Sequence, residues 1–162
     1  MGGYSTPSAA DQNSLMQALA LLQELVGAPI TGQFYQYDSG PQVLTALAAG
    51  QAGVTVLSNP FLLMAIMSTQ TGAFTLQIID GQSKNYFSQN PVPNASLCGT
   101  AQAPFYLAQP YLFQTNAQIQ VPIVDLSNAG NTVELTFTGI NPDTRSLDIL
   151  QQFRLWNAKG GT

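Results

Sequence analysis

The sequence predicts a mainly β protein: a jelly-roll-like antiparallel β-sandwich with an N-terminal helix and a short C-terminal helix or arm. After Thr31, about seven to nine short segments rich in β-branched and aromatic residues follow one another, separated by Gly, Pro, Asn and Asp. No helical segments alternate with these strands, which argues against a parallel α/β fold. Hydrophobic residues make up 45% of the 162-residue chain, so one domain with a substantial core is expected.

The pattern divides the chain into three parts. We expect an N-terminal arm and helix over residues 1–30, the jelly-roll sandwich over residues 31–141, and a C-terminal arm over residues 142–162. The long crossing loop "QNPVPNASLCGTAQAP" and the number of strands suit two sheets of four strands each.

Helical spacing of apolar residues dominates the first part. Leu15, Leu19, Leu22 and Val26 recur on one side, and Gly27 ends the pattern. Leu21 and Leu25 widen this apolar side, so the helix packs either on its own domain or on a neighbouring subunit. Its predicted N-terminal caps are Ser8 or Asp11.

The first strands of the sandwich begin with "GQFYQYD". The following "VLTALAAGQAGVTVLS" is ambiguous between helix and strand, and Gly50 and Gly53 are predicted to form a turn between two strands. "FLLMAIMST" is apolar on both faces, which predicts a strand covered by a second sheet on one side and by the helix or a partner on the other.

The middle of the sandwich is predicted as a hairpin. "AFTLQIID" alternates like a strand with one buried face, Asp80 and Gly81 form a turn signal, and "QSKNYFS" returns.

The last two strands form a second predicted hairpin. Their inner face consists of Ile119, Val121, Ile123, Val133, Leu135 and Phe137. Gly139 predicts a bulge, and Pro122, which has no amide proton, predicts an edge strand or a bulge. In the tail, helical spacing returns, and Asp143 or Ser146 would cap a short helix.

Low charge is the strongest compositional signal. Charged residues make up 7% of the chain, against roughly 25% in ordinary soluble domains. Such a surface repels other copies weakly and favours contact with other protein, although a sticky monomer has the same composition. The four basic residues are scattered, so no nucleic-acid surface is expected.

The residue types exclude most catalytic chemistry. The chain has no histidine, and Cys98 has no neighbouring base, so Ser-His-Asp or Cys-His catalysis and a His/Cys zinc site are not expected. Asp125 and Glu134 could face each other across the final hairpin, but on a solvated sheet face such a pair is usually not catalytic. We therefore expect a non-enzymatic protein without a metal or cofactor. Neither a signal peptide nor a membrane span is expected.

Aromatic residues leave a carbohydrate-binding module open as an alternative. They could form a sugar-binding platform, although their spacing mostly matches packing within strands. The candidates are Tyr35, Tyr37, Tyr86, Phe87, Phe105, Tyr106 and Tyr111.

The second half of the sandwich resembles small structural proteins encoded by tailed bacteriophages. The likeness covers roughly Val54 to Ile140 and consists of strand and turn patterns. The matching segments are Pro104 to Leu107, Pro110 to Phe113, Asn116 to Val121, Ser127 to Asn131, and Phe137 to Ile140. The chain departs from that pattern in its N-terminal helix, its helix-like tail and its very few charges.

The resemblance implies an accessory virion protein of the capsid cement or decoration type. It would be made in the cytoplasm of the bacterial host, lie on the capsid surface, and bridge major capsid subunits and copies of itself as a dimer or trimer. A position at the head-to-tail junction, tail or fibre is the alternative within the virion. The candidate protein-contact residues are Leu15, Leu22, Val92, Pro93, Asn94, Leu97, Gln118, Gln120, Leu150, Phe153 and Trp156.

Overall fold

The computed structural model describes residues 9–55, 59–100 and 103–158. Over these residues the chain forms two helices and eleven strands. The helices are α1 (Ala9–Val26) and α2 (Thr144–Ala158). The strands are β1 (Gly32–Asp38), β2 (Gln42–Leu44), β3 (Ala49–Thr55), β4 (Phe61–Gln70), β5 (Phe74–Leu76), β6 (Ile79–Asp80), β7 (Asn85–Tyr86), β8 (Val92–Pro93), β9 (Phe105–Phe113), β10 (Gln118–Asp125) and β11 (Asn131–Pro142).

The strands form two antiparallel sheets, and the predicted mainly β sandwich is confirmed. In sheet A the order is β1–β11–β4–β9, with β2 and β1 end to end along one edge of β11. In sheet B, β10 is central. β3 pairs with one edge of β10, β5 and β6 lie end to end along the other, and β8 and β7 continue outward from them.

The main core lies between the two sheets. Phe61, Phe74, Phe113 and Phe137 are fully buried there. The six apolar residues predicted to face inward on the last two strands are all buried in this core. The predicted hairpin itself is wrong: β10 belongs to sheet B and β11 to sheet A, so the two strands face each other across the core instead of pairing. Removal of these apolar side chains from water is the main force that holds the two sheets together.

A second apolar core lies on the outer face of sheet A. Leu15, Leu19 and Leu22 of α1 pack with Leu62 and Met64 of β4. The strand β4 is therefore buried on both faces, as its unbroken apolar sequence predicts. Of the two arrangements left open by the sequence, packing on its own domain or on a neighbouring subunit, α1 adopts the first.

The pairing of β4 with β11 is irregular where the sequence predicts it. The register shifts between Thr138 and Gly139, with Met64 as the extra residue on β4. Beyond the shift, Ile140 faces the helices and belongs to the second core.

Two further predictions about the strands are wrong. Pro122 lies in β10, which is central rather than an edge strand and pairs with β3 through Pro122 without a register shift. The gap between β5 and β6 lies opposite it: Gln77 donates its N–H to the Pro122 carbonyl, but Pro122 has no N–H to return. Gly50 and Gly53 lie within β3, and the turn before that strand is at residues 46–47.

The helix ends follow local chemistry. Gly27 follows α1 with φ +74°, a left-handed conformation that ends helices at low cost in glycine. Asp143 is the N-cap of α2, because its Oδ1 accepts a hydrogen bond from Ser146 N–H at 2.8 Å. The hydroxyl of Thr31 also donates to Asp143 and ties this cap to β1. The predicted cap Asp11 lies inside α1, and Ser8 lies outside the described residues.

Gly139→Ala tests the close approach of β4 and β11. A Cβ atom at this position would overlap the carbonyl oxygen of Leu62, which is held in the β4–β11 pairing. We expect the substitution to lower the free energy of unfolding by about 3 kcal/mol in urea denaturation. Gly130→Ala is the control, since its Cβ would meet the nearest atom at 3.4 Å and should change stability by less than about 1 kcal/mol. Equal losses would contradict the interpretation.

Candidate functional site

The most extensive polar cluster in the described part of the chain is centred on Asp125 and Asn131, which are both 1% exposed. Asn131 Nδ2 donates to Asp125 Oδ1 at 2.9 Å, and the Ser127 hydroxyl lies 2.9 Å from both carboxylate oxygens. Leu47 N–H donates to Asp125 Oδ2 at 3.0 Å, while Gly72 N–H donates to Asn131 Oδ1 at 2.9 Å. This cluster joins the β2–β3, β4–β5 and β10–β11 loops at one end of the sandwich.

The hydrogen bonds in this cluster keep Asp125 ionised. Burial alone would raise the pKa of Asp125, but the side chains of Asn131 and Ser127 and the N–H of Leu47 together outweigh it and lower the pKa. Asp125 is buried and both of its oxygens accept hydrogen bonds, so we interpret it as a structural carboxylate.

The predicted facing of Asp125 and Glu134 is wrong. Asp125 ends β10 in sheet B and is buried, whereas Glu134 is on the outer face of β11 in sheet A. Glu134 instead shares a hydrogen bond with Asp38, and that contact, together with burial and repulsion between the two carboxyls, raises the pKa of Glu134.

A second buried carboxylate, Asp80, joins the two sheets at the edge of sheet A that β9 forms. Asp80 Oδ2 accepts from the Ser83 hydroxyl at 2.7 Å and from the Tyr111 hydroxyl at 2.8 Å. Burial alone would raise the pKa of Asp80, but these bonds and the N–H groups of Gln82 and Ser83 lower it. Because Tyr111 belongs to β9 and Asp80 to β6, this pair links sheet A to sheet B.

Other groups that could be reactive are the Cys98 thiol and side chains able to bind a metal ion. Cys98 is buried, and desolvation raises its pKa to about 12, so that the thiolate is not populated at neutral pH. Among the described residues, no group of three or more His, Cys, Asp or Glu side chains is arranged to hold a metal ion. Over the same residues, neither helix is both long and apolar enough to cross a membrane.

An apolar groove of about 560 Å³ lies where the edge strand β9 meets both helices and the β6–β7 hairpin. We call it the edge groove, and its characteristic lining residues are Leu25, Leu97, Phe105, Leu107, Tyr111 and Phe153. The groove exists because β9 leaves the regular register: Leu63 pairs with Tyr111 and Ala65 with Tyr106, so residues 107–110 bulge away from β4.

Four of the residues predicted to contact other subunits line this groove. Leu22 and Leu150 contribute from the helices but are themselves buried in the second core, as is Leu15. Leu97 and Phe153 are half-buried in the groove wall. The sequence therefore identifies the helices and the long loop as contact elements, but it does not show that they line one groove.

The remaining predicted contact residues lie elsewhere. Val92 and Pro93 form β8 at an edge of sheet B, and Asn94 begins a 3-10 turn there. Gln118 and Gln120 lie on the outer face of β10, joined by a 2.9 Å bond from Gln120 Nε2 to Gln118 Oε1. Trp156 belongs to α2, but its side chain lies outside the described part of the structure.

The predicted aromatic platform is divided between opposite edges of sheet A. Tyr35 and Tyr37 are on β1, with ring centroids 4.7 Å apart. Phe87 and Tyr111 pack together at the β9 edge, with centroids 4.8 Å apart. Tyr86 and Phe105 line the edge groove and Tyr106 packs with the helical core, so these aromatics form no single flat surface.

Four exposed apolar residues lie in, or next to, the β2–β3 and β10–β11 loops that the Asp125 cluster joins. We call them the loop-end patch: Val43, Leu47, Val124 and Leu126. Leu47 is 62% exposed and has φ +58°, a left-handed conformation that is costly for leucine. Its N–H bond to Asp125 holds it there. The sequence gives no local signal for this conformation, since no glycine or asparagine occupies the position.

The comparisons with known proteins give no family. No protein-family model matches the chain. No curated protein matches its sequence. Among solved structures, the chain is similar to the crystal structure of the Drosophila melanogaster CENP-C cumin domain, with 9% identity, coverage of 79% of this chain and 99% of that chain, and a TM-score of 0.25. A TM-score this low supports no conclusion about fold or function.

Asp125→Asn tests the structural role of the buried carboxylate. The new side chain keeps one oxygen and has an NH2 group in place of the other, which would face the donor of either Leu47 or Asn131, so we expect a lower urea midpoint at pH 7. The pKa of Asp125 is depressed in the folded state, so its stabilisation is present above the unfolded value of about 4 and is lost as pH falls through the folded pKa. The difference between wild type and variant should therefore shrink below about pH 4.

Glu134→Gln is the matched control, with the opposite sign. Because the pKa of Glu134 is raised in the folded state, its ionisation opposes folding above that pKa. We expect an unchanged or slightly higher urea midpoint at pH 7. A lower midpoint for Glu134→Gln would show that the contact with Asp38 is stabilising in its ionised form.

Proposed function

We propose that this protein is a non-enzymatic structural component of a bacteriophage virion. It attaches to the capsid surface as a cement or decoration protein and contacts major capsid subunits and copies of itself. No catalytic step is involved, because its action is binding alone. The proposal rests on the sequence resemblance, the low charge and the placement of exposed apolar residues.

The strand order supports a jelly-roll assignment for the sandwich. If end-to-end strands β1 and β2, β5 and β6, and β7 and β8 are each taken as one position, eleven strands occupy eight positions. Sheet A then has the order first, eighth, third and sixth, and sheet B the order second, seventh, fourth and fifth. Two interlocked Greek keys give this order, which occurs in viral capsid domains but also in lectins and cupins. Function must therefore come from the surface.

Leu47 is the observation that carries the proposal. An apolar side chain that is both exposed and held at positive φ weakens the isolated fold twice, through hydration and through backbone strain. Such positions are typical of functional surfaces, where a partner buries the side chain. Val43, which is 80% exposed, and Leu126 are further exposed apolar residues at the same end of the sandwich.

Attachment through such surfaces would depend little on ionic strength. Nine large hydrophobic residues are exposed in the described part of the chain, and they include Met16 and Leu21 on α1 as well as the loop-end patch. Contacts at separate surfaces let one molecule bridge neighbours, and several modest contacts together give stable attachment. On purified capsids, we expect the bound protein to stay in place when NaCl alone is raised. Sharp release by salt would contradict apolar attachment.

Leu47→Asn tests the contact role without damaging the fold. Asparagine tolerates positive φ better than leucine, so the free energy of unfolding should stay constant or rise by about 0.5–1 kcal/mol. We expect weaker binding to capsids, measured by co-sedimentation with purified phage heads lacking the protein. Lys84→Asn is the matched control, since Lys84 has φ +59° and lies in the β6–β7 turn, away from the patch.

The two variants separate folding from contact. Both relieve a positive-φ position, but only Leu47→Asn removes an exposed apolar side chain. Wild-type attachment by Leu47→Asn would exclude the loop-end patch as a contact surface. If wild-type protein does not bind heads at all, the capsid assignment fails, and tail or head-to-tail assemblies become the next targets for the same assay.

A further inference from the structure

We propose that the edge groove binds an uncharged, largely apolar organic molecule. The groove is distinct from the loop-end patch, none of whose residues line it. Ligand binding here is therefore independent of the assembly role proposed above.

The lining of the groove determines the charge of its ligand. None of the lining residues that the structure describes is Asp, Glu, Lys or Arg. Leucine and aromatic side chains from both helices, from β9 and from the β6–β7 hairpin make up most of the wall. An ionic ligand would lose hydration there without gaining a counter-charge, whereas an apolar ligand would remove the exposed surfaces of Leu25, Tyr86 and Phe105 from water.

The dimensions of the groove suit a small molecule. Its volume of about 560 Å³ lies within the roughly 300–1,000 Å³ typical of pockets that bury most of a drug-sized ligand. The wall is built by tertiary packing: the Asp80–Tyr111 bond ties β9 to sheet B, and Asn85 Nδ2 donates to the same Tyr111 hydroxyl at 3.2 Å. The Tyr111 ring therefore has a fixed position in the wall, which makes the site largely preformed.

A peptide fits the groove less well than a small apolar molecule. Each residue of a peptide brings an N–H and a C=O group that must find partners when buried. The polar side chains of the lining are the amides of Asn85 and Gln109 and the hydroxyls of Tyr86 and Tyr111, of which the Tyr111 hydroxyl already donates to Asp80. The bulged segment of β9 includes Pro110, which has no N–H to give an added strand. A ligand with one or two polar atoms can be satisfied by the two amides.

The test uses N-phenyl-1-naphthylamine, an uncharged apolar dye whose fluorescence rises on leaving water. With the full-length protein we expect saturable binding of one dye per chain. Leu25→Arg should raise the dissociation constant of the dye at least about tenfold, because it places a charge in the groove wall. Leu21→Arg should change it less than about twofold, since Leu21 is similarly exposed on the same helix, one turn away, and does not line the groove.

A second variant changes the groove from a different element, so that a folding defect of one variant does not decide the test. Ala108→Trp places a large side chain at an exposed position of the groove wall, where it would occupy space needed by the dye, and should also weaken binding at least about tenfold. Circular dichroism and urea midpoints of all variants should match the wild type. The proposal is overturned if binding does not saturate, if Leu21→Arg and Leu25→Arg lose binding equally, or if Ala108→Trp binds the dye as the wild type does.

Discussion

The structure depends on β4, which is buried on both faces, and on its neighbour β11, whose inner face lies in the main core and whose Ile140 lies in the second core. These two strands lie side by side at the centre of sheet A, with the second sheet on one side and the helices on the other. Their apolar residues therefore belong to two cores at once, and neither the sandwich nor the helical layer can separate without exposing them to water. The shift at Gly139 brings the two backbones close enough for this arrangement.

The acidic residues serve the architecture in this context. Asp125 together with Asn131 joins three loops, and Asp80 joins the two sheets. Asp143 caps α2 and accepts a hydrogen bond from Thr31, which directly precedes β1. Each of the three carboxylates accepts hydrogen bonds from several donors, which lowers its pKa. For the buried Asp80 and Asp125, these bonds outweigh the effect of burial, which would raise the pKa. A chain with so few charges uses them to fix loop and strand ends. What remains for contact with other molecules is mostly neutral and apolar surface.

Much of the fold could be predicted from the alternation of apolar and polar residues and from the Gly, Pro, Asn and Asp residues that separate the segments. The inward faces of the last two strands, the double burial of β4 and the end of α1 at Gly27 all follow from residue patterns. The predicted pairing of those two strands as a hairpin was wrong, because alternation identifies the buried face of a strand but not the sheet that it joins. Predictions failed where a distant strand decides the outcome: Pro122 is tolerated in a central strand because its neighbour is interrupted there. The edge groove was beyond sequence reasoning, since Leu25, Leu97 and Phe153 meet only through tertiary packing. Leu47 gave no signal because its conformation is imposed by Asp125.

The shared attachment of three loops to Asp125 and Asn131 has a dynamic consequence. Residues as far apart as Leu47, Gly72 and Ser127 are held by the same two side chains. Opening of one loop leaves a buried carboxylate or amide without its partner, so the other two loops lose support at the same moment. This end of the sandwich is therefore expected to open as a single cooperative unit, with amide protons from three separate stretches of sequence reporting a common free energy of opening.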